Sequence, residues 1–312
     1  MPSDADIEQA AAALRAGKLV AFPTETVYGL GADATNGSAV AQVYAAKGRP
    51  AFNPLITHVP DAGHAFALGR FSADARKLAE AFWPGPLSLV VPRAKNCPVA
   101  LLASAGLDSI AIRVPAHPVA LALLKAADVP VVAPSANPSG KISPTTADHV
   151  RRHLGNKVAM VLDGGRCKVG VESTIVGFLD DGPMLLRHGG IPREEIERVL
   201  GHPVQVLSHA ERPHAPGQLL SHYAPHADLR LHAEAPRDGE TYLGFGPLHD
   251  HGPYNLSASG DLVEAAASLF DLLHQIDATG VARIAVAPIP NHGLGEALND
   301  RLMRAAAPRE TT

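Results

Sequence analysis

Short apolar runs that stop at a proline, a glycine or a polar residue recur along most of this chain, and they constrain its fold more than any other feature. Each run has the length of a short buried strand. Several runs follow one another with no helical pattern between them, which indicates a sheet with mixed strand directions. The runs span residues 19–22, 55–59, 87–91, 110–114, 129–133, 158–162, 174–178 and 184–186.

Helical patterns separate many of these runs. Ser3 and Asp4 precede an amphipathic stretch that stops at Gly17, as expected for a capped helix. The sequence therefore predicts an α/β (α+β) fold in which helices flank a mixed sheet. Further helices are predicted at residues 38–46, 74–82, 118–127, 147–154 and 193–200.

The length of 312 residues favours two domains. The periodicity weakens between residues 202 and 227, where prolines interrupt it, and this stretch is predicted to be a linker. We therefore expect a larger domain at 1–201 and a smaller one at 228–312. Strand and helix patterns alternate in the smaller domain, which predicts a small open α/β sheet of the Rossmann-like kind.

The charge and the cysteines exclude several classes of protein. The net charge is −4 and no block of five or six basic residues occurs, so we do not expect stable binding to nucleic acid. Cys97 and Cys167 form no C-x-x-C motif, which favours reduced thiols. No apolar run is long enough to span a bilayer, and the N-terminus lacks a signal-peptide pattern. The sequence predicts a cytoplasmic protein with no membrane contact.

Two cations follow the helical pattern that ends near residue 46. Lys47 and Arg49 are suited to phosphates, because lysine supplies a compact charge and arginine a planar fork. The alternative is a pair of solvated cations at a helix end, where the helix dipole favours them. Asn53 and His58 follow through proline-bounded turns, and together the four residues favour a polyanion site.

Arg113 stands in an otherwise apolar strand pattern, on the same face as Ser109. A buried arginine needs a partner. That partner is either an internal carboxylate or the carboxylate of a substrate, and the sequence leaves both open. Thr24, Glu25 and Thr26 end another predicted strand, at the position where open sheets place ligand groups. The alternative is a turn at the strand end with a helix-capping role.

A later segment extends the polar set. Ser135 and Asn137 lie in a loop fixed by prolines and a glycine, which suits either ordinary turn chemistry or contact with a metal-bound triphosphate. The Walker A, H-E-x-x-H and G-x-S-x-G motifs are absent. His214, His222 and His226 have no metal-specific spacing, so a zinc site is disfavoured.

These segments together resemble the YrdC/Sua5 family, and the resemblance covers nearly the whole chain. It implies a YrdC-like twisted mixed sheet with a Sua5-type C-terminal domain. It also implies that L-threonine, bicarbonate and ATP condense into threonylcarbamoyl-adenylate and pyrophosphate, for modification of adenosine 37 in tRNA. The matching segments are FPTETVYGLG, KGRPAFNPLITHV, SIAIRVP, APSANPSGKISPTT, GVESTIVGF, LLRHGG and APGQLLSHYAP.

The resemblance also implies residue roles. Tyr223 would fold over the nucleotide, so that the linker acts as a lid. Mg²⁺ would arrive with ATP, helped by Ser135 and Asn137, and Lys47 and Arg49 would complete the catalytic set. Threonine would be surrounded by Thr26, His58, Arg113, Ala133 and Ser173. ATP would be surrounded by Lys47, Arg49, Asn53, Ser109, Ser135, Asn137, Ser143, Arg187 and Tyr223.

Three positions depart from the family pattern. Gly177 stands where aspartate is usual, and Lys168 and His188 stand where proline is common. Two rival functions stay open from sequence: an RNA-binding YrdC-like module without catalysis, and carbamoyl transfer to another acceptor. Proteins that transfer the threonylcarbamoyl group onward to tRNA are the expected partners of a catalytic member.

Overall fold

A computed structural model describes residues 1–179, 182–207, 222–247 and 252–308 of the chain. Its strands are β1 Val20–Pro23, β2 Tyr28–Asp33, β3 Ile56–His58, β4 Leu87–Pro92, β5 Ser109–Arg113, β6 Val131–Val132, β7 Met160–Val161, β8 Thr174–Phe178, β9 Pro183–Arg187, β10 Gln205–Val206, β11 Asp228–Arg230, β12 Thr241–Leu243 and β13 Arg283–Val286. Its helices are α1 Asp4–Arg15, α2 Gly37–Lys47, α3 Ala62–Leu68, α4 Ala73–Phe82, α5 Pro118–Ala127, α6 Ala147–Leu154, α7 Arg193–Leu200, α8 Leu262–Ala278 and α9 Leu294–Ala306. The predicted α/β fold with a mixed sheet is confirmed.

One large mixed sheet organises the first domain, in the order β10–β9–β8–β4–β5–β3–β6–β2–β1–β7. Helices α2, α3, α4 and α7 cover one face, where Leu89 and Ile112 join their apolar core. Helices α1 and α5 cover the other face beside β1 and β6. Further along that second face, an apolar cluster from β3, β4, β5, β8 and β9 includes no helix residue. This gap leaves room for a cavity on the sheet.

The smaller domain is an open parallel sheet, in the order β11–β13–β12, with α8 and α9 packed on it. This confirms the predicted small open α/β unit. Its apolar core also takes in Val27, Ile142 and Val171 of the larger domain, so the two domains share buried apolar surface. At their boundary His274 lies 3.1 Å from the carbonyl oxygen of Ser143 through Nε2.

Strand β2 and helix α3 were not predicted from the sequence. The β2 sequence YGLGAD has two glycines and no β-branched residue, so it does not carry a strand pattern. The structure explains one of these glycines. A Cβ atom on Gly31 would lie 2.8 Å from Cε1 of Phe22 on the neighbouring strand β1, so packing against the aromatic ring excludes a side chain there.

The predicted linker is only partly described. Its first residues include β10, which pairs with β9 and extends the large sheet. Its last residues, from His222 onward, lie against the smaller domain, since the amide of His222 donates to the carbonyl of Arg304 at 3.1 Å. Residues 208–221 lie outside the described part of the chain. In the described ranges, no helix is both long and apolar enough to cross a bilayer.

A pair of buried histidines at the domain boundary predicts acid lability. Their rings, His149 on α6 and His274 on α8, have centroids 3.9 Å apart. Burial, followed by the charges of Arg152 and the neighbouring histidines, lowers the pKa of His149 to about 4, and burial lowers that of His274 to about 3. Both histidines are therefore neutral in the folded protein at pH 5, whereas the unfolded chain takes up protons below its ordinary histidine pKa.

Because the unfolded state then binds more protons, stability falls as pH drops from about 6.5 towards 4. For His274 alone the loss at pH 5 is at most about 2 kcal/mol. Urea unfolding at pH 7.5 and pH 5 measures it. His274→Asn should reduce the pH dependence, and replacement of the exposed His64 by asparagine serves as the matched control. An equal pH dependence in both variants would contradict the assignment.

Candidate active site

A cavity lies on the uncovered part of the large sheet. Strand register explains why distant segments meet there: β3 is parallel to β5, and His58 is paired with Arg113. The loop between β1 and β2 supplies Thr26, and the segment after β6 supplies Ala133. The lining residues are Thr26, Val27, Arg49, Ile56, His58, Arg113, Ala133, Pro134, Ser135, Glu172, Ser173, Arg187, His222 and Tyr223.

Arg113 has an internal carboxylate partner. Its Nη2 lies 2.5 Å from Oε1 of Glu25, and its Nε donates to the carbonyl of Gly85 at 3.3 Å. Glu25 also accepts the amide of Ala116 at 3.0 Å through Oε2. One of the two partners left open by the sequence is therefore present. Among the described residues Nη1 of Arg113 makes no hydrogen bond, and the arginine lines the cavity, so a second carboxylate has a donor to bind.

His58 is buried beside Arg113 and makes an edge contact with Phe22, with ring centroids 6.4 Å apart. Burial, and then the nearby charge of Arg113, lowers the pKa of His58 to about 3. The imidazole is therefore neutral at neutral pH. A group this weakly basic is poorly matched to proton abstraction at neutral pH, since an efficient general base has a pKa near the working pH.

The cation pair at the end of α2 is buried. A left-handed Gly48, with φ of 59°, ends the helix and turns the chain at this point. Nζ of Lys47 donates to the carbonyls of Ser135 and Asn137, each at 2.5 Å. Arg49 donates through Nη2 to Oδ1 of Asn53 at 2.6 Å. The alternative of two solvated cations is wrong, because Lys47 is 3% exposed and Arg49 is 8% exposed.

Neither cation of this pair has a carboxylate partner among the described residues. Burial, and then the charge of Arg49, lowers the pKa of Lys47 well below its ordinary value. Burial lowers the pKa of Arg49 to about 10. Both shifts indicate that positive charge is unfavourable here until an anion arrives. The pair is therefore suited to a polyanion that brings its own negative charge.

Ser173 and Arg187 form another part of the cavity wall. The guanidinium of Arg187 donates to the carbonyl of Ser173 at 3.0 Å and to its hydroxyl at 3.1 Å. The hydroxyls of Ser88 and Ser173 are 2.8 Å apart. Burial lowers the pKa of Arg187 to about 10. A third cation therefore borders the cavity, at the end of β9.

His222 and Tyr223 close the cavity from the side of the smaller domain. Tyr223 stacks on Phe270 of α8 with ring centroids 5.4 Å apart, and burial raises its pKa to about 12. Burial, and then the charges of Arg49 and Lys47, lowers the pKa of His222 well below its ordinary value. Nδ1 of His222 is buried and has no hydrogen-bond partner among the described residues. The linker therefore ends in a wall of the cavity.

The structure brings most of the predicted site residues to one place. Lys47, Asn53, Asn137 and Ser143 lie behind the lining and hold it: the first three contact Ser135 or Arg49 or each other, and Ser143 donates to Oε1 of Glu172 at 2.6 Å. Ser109 lies at the opposite end of β5 from Arg113 and is not in the lining. The roles of all these residues stay predictions. Those that line the cavity are Thr26, Arg49, His58, Arg113, Ala133, Ser135, Ser173, Arg187 and Tyr223.

The sequence did not reveal Arg301 of α9. Its Nε lies 2.9 Å from Oε2 of Glu172, although the two residues are 129 positions apart. A signal did exist, because Arg301 falls three positions after Leu298 and so on the buried stripe of an amphipathic helix. A charged residue on such a stripe needs a partner, but the sequence does not say which one.

The three departures from the family pattern lie outside the cavity lining. Lys168 is exposed. His188 pairs with Glu296 of α9 at 3.1 Å and so links the two domains. A Cβ atom on Gly177 would lie 2.9 Å from Cδ1 of Leu186 on β9, so a larger residue needs that leucine to move. The described residues contain no group of three histidines, cysteines or carboxylates able to hold a metal, and His214 lies outside them.

Two family models together match nearly all of the chain. One is named for Sua5, YciO and YrdC, carries the description telomere recombination, and matches residues 12–189. The other, described as threonylcarbamoyl-AMP synthase, C-terminal domain, matches residues 191–307. Their boundary falls between β9 and α7, ahead of the predicted linker, which begins at residue 202.

Named relatives cover the same extent. Threonylcarbamoyl-AMP synthase of Bacillus subtilis (strain 168) is 42% identical, over 98% of this chain and 94% of its own length. The protein of the same name from Pyrococcus abyssi (strain GE5 / Orsay) is 41% identical, over 97% and 94%. The crystal structure of P. abyssi Sua5 complexed with L-threonine matches with a TM-score of 0.91 at 39% identity, covering 98% of this chain and 95% of that one.

Proposed function

Because this chain belongs to the Sua5/YciO/YrdC family, we propose that it is an enzyme that condenses L-threonine, bicarbonate and ATP into threonylcarbamoyl-AMP and pyrophosphate. One observation carries the proposal beyond family membership. A single cavity joins Arg113, a strand-borne arginine with a free donor, to Arg49, which together with Lys47 behind the lining forms a buried cation pair with no carboxylate partner in the described part of the chain. The first suits an amino-acid carboxylate and the second suits a triphosphate.

The threonine end of the cavity is the part around β3 and β5. Arg113 binds the substrate carboxylate through the donor that Glu25 leaves unused. Thr26 and Ser173 supply hydroxyls on either side, and the neutral His58 borders the same space. The P. abyssi structure described as complexed with L-threonine supports this assignment of the amino-acid substrate.

The ATP end lies towards α2 and β9. Lys47, Arg49 and Arg187 bring positive charge to the phosphates, and Ser135, whose carbonyl accepts from Lys47, lines the cavity beside them. Tyr223 supplies an aromatic wall for the nucleotide. Because the cations are held by main-chain carbonyls and by Asn53 before substrate binds, little reorganisation is needed when the phosphates arrive.

Asn137 fits a role in binding Mg²⁺ together with ATP. Its Oδ1 is buried and makes no hydrogen bond within the described ranges, while its Nδ2 donates to the carbonyls of Pro138 and Lys141, each at 2.8 Å. An amide oxygen is a ligand that Mg²⁺ accepts. Asn137 and the neighbouring Ser135 would hold the ion, which would neutralise charge on the triphosphate when bound.

The chemistry needs positioning more than a protein nucleophile. The neutral amine of threonine adds to bicarbonate-derived carbon dioxide, and the carbamate oxygen attacks the α-phosphorus of ATP as pyrophosphate leaves. The residues of this chain fix both substrates on one rigid sheet and stabilise the negative charge of the leaving group. No residue of the cavity is assigned as a general base, because His58 has a pKa of about 3.

Exclusion of water is the second contribution of the protein. The product is a mixed anhydride, which hydrolyses readily, and a closed site protects it. His222 and Tyr223 supply the closing wall, so the C-terminal part of the linker acts as the lid. The product passes to the proteins that complete the threonylcarbamoyl modification of tRNA, and the enzyme acts in the cytoplasm without stable binding to RNA.

A direct assay separates the proposed function from its rivals. Purified protein is incubated with ATP, Mg²⁺, bicarbonate and each amino acid in turn, and pyrophosphate release is measured. We expect release that depends on both threonine and bicarbonate. Binding of RNA without any amino-acid-dependent pyrophosphate would instead support the RNA-binding module. Bicarbonate-dependent pyrophosphate release that does not require threonine would support carbamoyl transfer to another acceptor.

A further inference from the structure

Helix α9 of the smaller domain inserts a buried arginine beside the cavity. Arg301 is 1% exposed, and its Nε and Nη1 bind Glu172 at 2.9 Å and Asp300 at 2.8 Å. Its guanidinium carbon lies 5.3 Å from the centre of the Tyr223 ring, within the range of a cation–π contact. Both Glu172 and Tyr223 line the cavity. One side chain of the smaller domain therefore contacts two walls of the site.

Stability alone is a poor explanation for this arginine. Nη2 of Arg301 is buried and has no hydrogen-bond partner among the described residues. A buried ion pair with an unsatisfied donor is often no more stable than apolar side chains of similar volume. Arg301 occupies the apolar stripe of α9, where Leu298 and Leu302 are its neighbours. A leucine or methionine would fit such a stripe, so the arginine points to a role at the site.

The contacts of Glu172 show what Arg301 controls. Its second oxygen accepts the hydroxyl of Ser143 at 2.6 Å, so both oxygens are engaged before substrate binds. A carboxylate held in this way is kept away from the phosphates that would approach Arg49 and Arg187. The same helix holds the lid, because the carbonyl of Arg304 accepts the amide of His222.

We propose that Arg301 is a positioning residue of the ATP site: it holds Glu172 and Tyr223 in the places that nucleotide binding requires. This inference rests on the proposed function for the identity of the nucleotide. It assigns a task to the smaller domain, which completes the ATP end of the cavity and does not contact the threonine end through this residue.

Arg301→Met tests the proposal, because methionine keeps most of the length and removes the charge and the donors. We expect the dissociation constant and the KM for ATP each to rise about tenfold. The dissociation constant and the KM for threonine should stay within about twofold. Arg301→Lys keeps the charge without the planar fork. Its affinity for ATP should therefore lie between those of the unmodified protein and Arg301→Met. Calorimetry with ATP and Mg²⁺, and separately with threonine, gives the binding constants.

The matched control is Arg230→Met. Arg230 lies in the same domain and pairs with Glu240 through two nitrogens, at 2.9 and 2.5 Å, away from the cavity lining. It should leave both affinities unchanged. If Arg301→Met does not fold, Arg301→Met combined with Glu172→Gln removes both charges of the pair and carries the same test. Thermal unfolding confirms that each variant is folded.

A double-mutant cycle tests whether Arg301 affects ATP binding through Tyr223. If Arg301 acts through Tyr223, Arg301→Met should weaken ATP binding little further in a Tyr223→Ala background. Fully additive effects would overturn that route. Equal losses for ATP and threonine, or unchanged ATP affinity in folded Arg301→Met, would overturn the proposal itself. Absence of threonine-dependent pyrophosphate release in the unmodified protein would instead reject the proposed function, while the ATP titrations would still decide the role of Arg301.

Discussion

Replacement of Arg113 by alanine is expected to raise the KM for L-threonine by about 100-fold, while the KM for ATP changes by less than about threefold. A charge-assisted hydrogen bond to a buried carboxylate contributes about 3 kcal/mol, which corresponds to that factor. The KM for threonine should change much more than the KM for ATP because Arg113 lies away from the cation pair. Arg113 lies at the end of β5 beside His58, whereas the cation pair lies at the end of α2.

The ion pair with Glu25 demands a specific control. Arg113→Ala leaves Glu25 buried without its partner, so lost activity alone would not separate a structural role from a role in binding. The double variant Arg113→Met with Glu25→Gln removes both charges. If Arg113 serves only to neutralise Glu25, this variant should regain normal threonine affinity. If Arg113 binds the threonine carboxylate, the affinity should stay low.

Arg93→Ala is the matched arginine control. Arg93 is a half-buried residue that follows β4, and it donates to the hydroxyl of Ser104 at 3.3 Å, outside the cavity lining. We expect its KM values for both substrates to match those of the unmodified protein. Steady-state kinetics of pyrophosphate release at varied threonine and at varied ATP are measured for these three variants and for the unmodified protein. An unchanged threonine KM in folded Arg113→Ala would reject the assignment.

Local sequence patterns sufficed for most elements of the fold. Helices α5, α6 and α7 and strand β8 have the predicted bounds, because each has a strong periodicity and a clear stop signal. Strand β2 was missed because Gly31 is required by a tertiary contact, the ring of Phe22, and not by any local preference. The bounds of α5, α6, α7 and β8 could be predicted from local sequence. The residues of neighbouring strands that pack against such elements could not.

In the site, too, local patterns could be predicted and tertiary contacts could not. The lysine and arginine after α2 and the arginine in β5 could be picked out because charged residues at the end of apolar patterns are unusual. Their burial and their partners depend on contacts between distant segments. Glu25 lies 88 positions from Arg113, and Arg301 lies 129 positions from Glu172. Ser109 shares a face with Arg113 but lies at the other end of β5 and outside the cavity lining, so its predicted role in ATP binding stays a prediction.

Lys47→Met is expected to raise the KM for ATP by about 100-fold and to leave the KM for threonine within about threefold, because a buried cation lost from a phosphate site costs about 3 kcal/mol. Lys125→Met is the matched control. Lys125 also lies in the last turn of a helix, α5, but its side chain is exposed. If Lys47 were only a cation favoured by a helix end, the two substitutions would have equally small effects.

Proton uptake gives a second measurement of the same residue. Burial, and then the charge of Arg49, lowers the pKa of Lys47 well below its ordinary value, so above this lowered pKa the free enzyme holds the amine neutral. Phosphates beside the amine favour its charged form and raise that pKa again. In that pH range ATP binding should therefore take up a proton, and affinity should weaken as pH rises. Calorimetry of ATP binding in buffers with different ionisation enthalpies detects the uptake, which should be smaller in Lys47→Met. Identical buffer dependence in the two proteins would place the titrating group elsewhere.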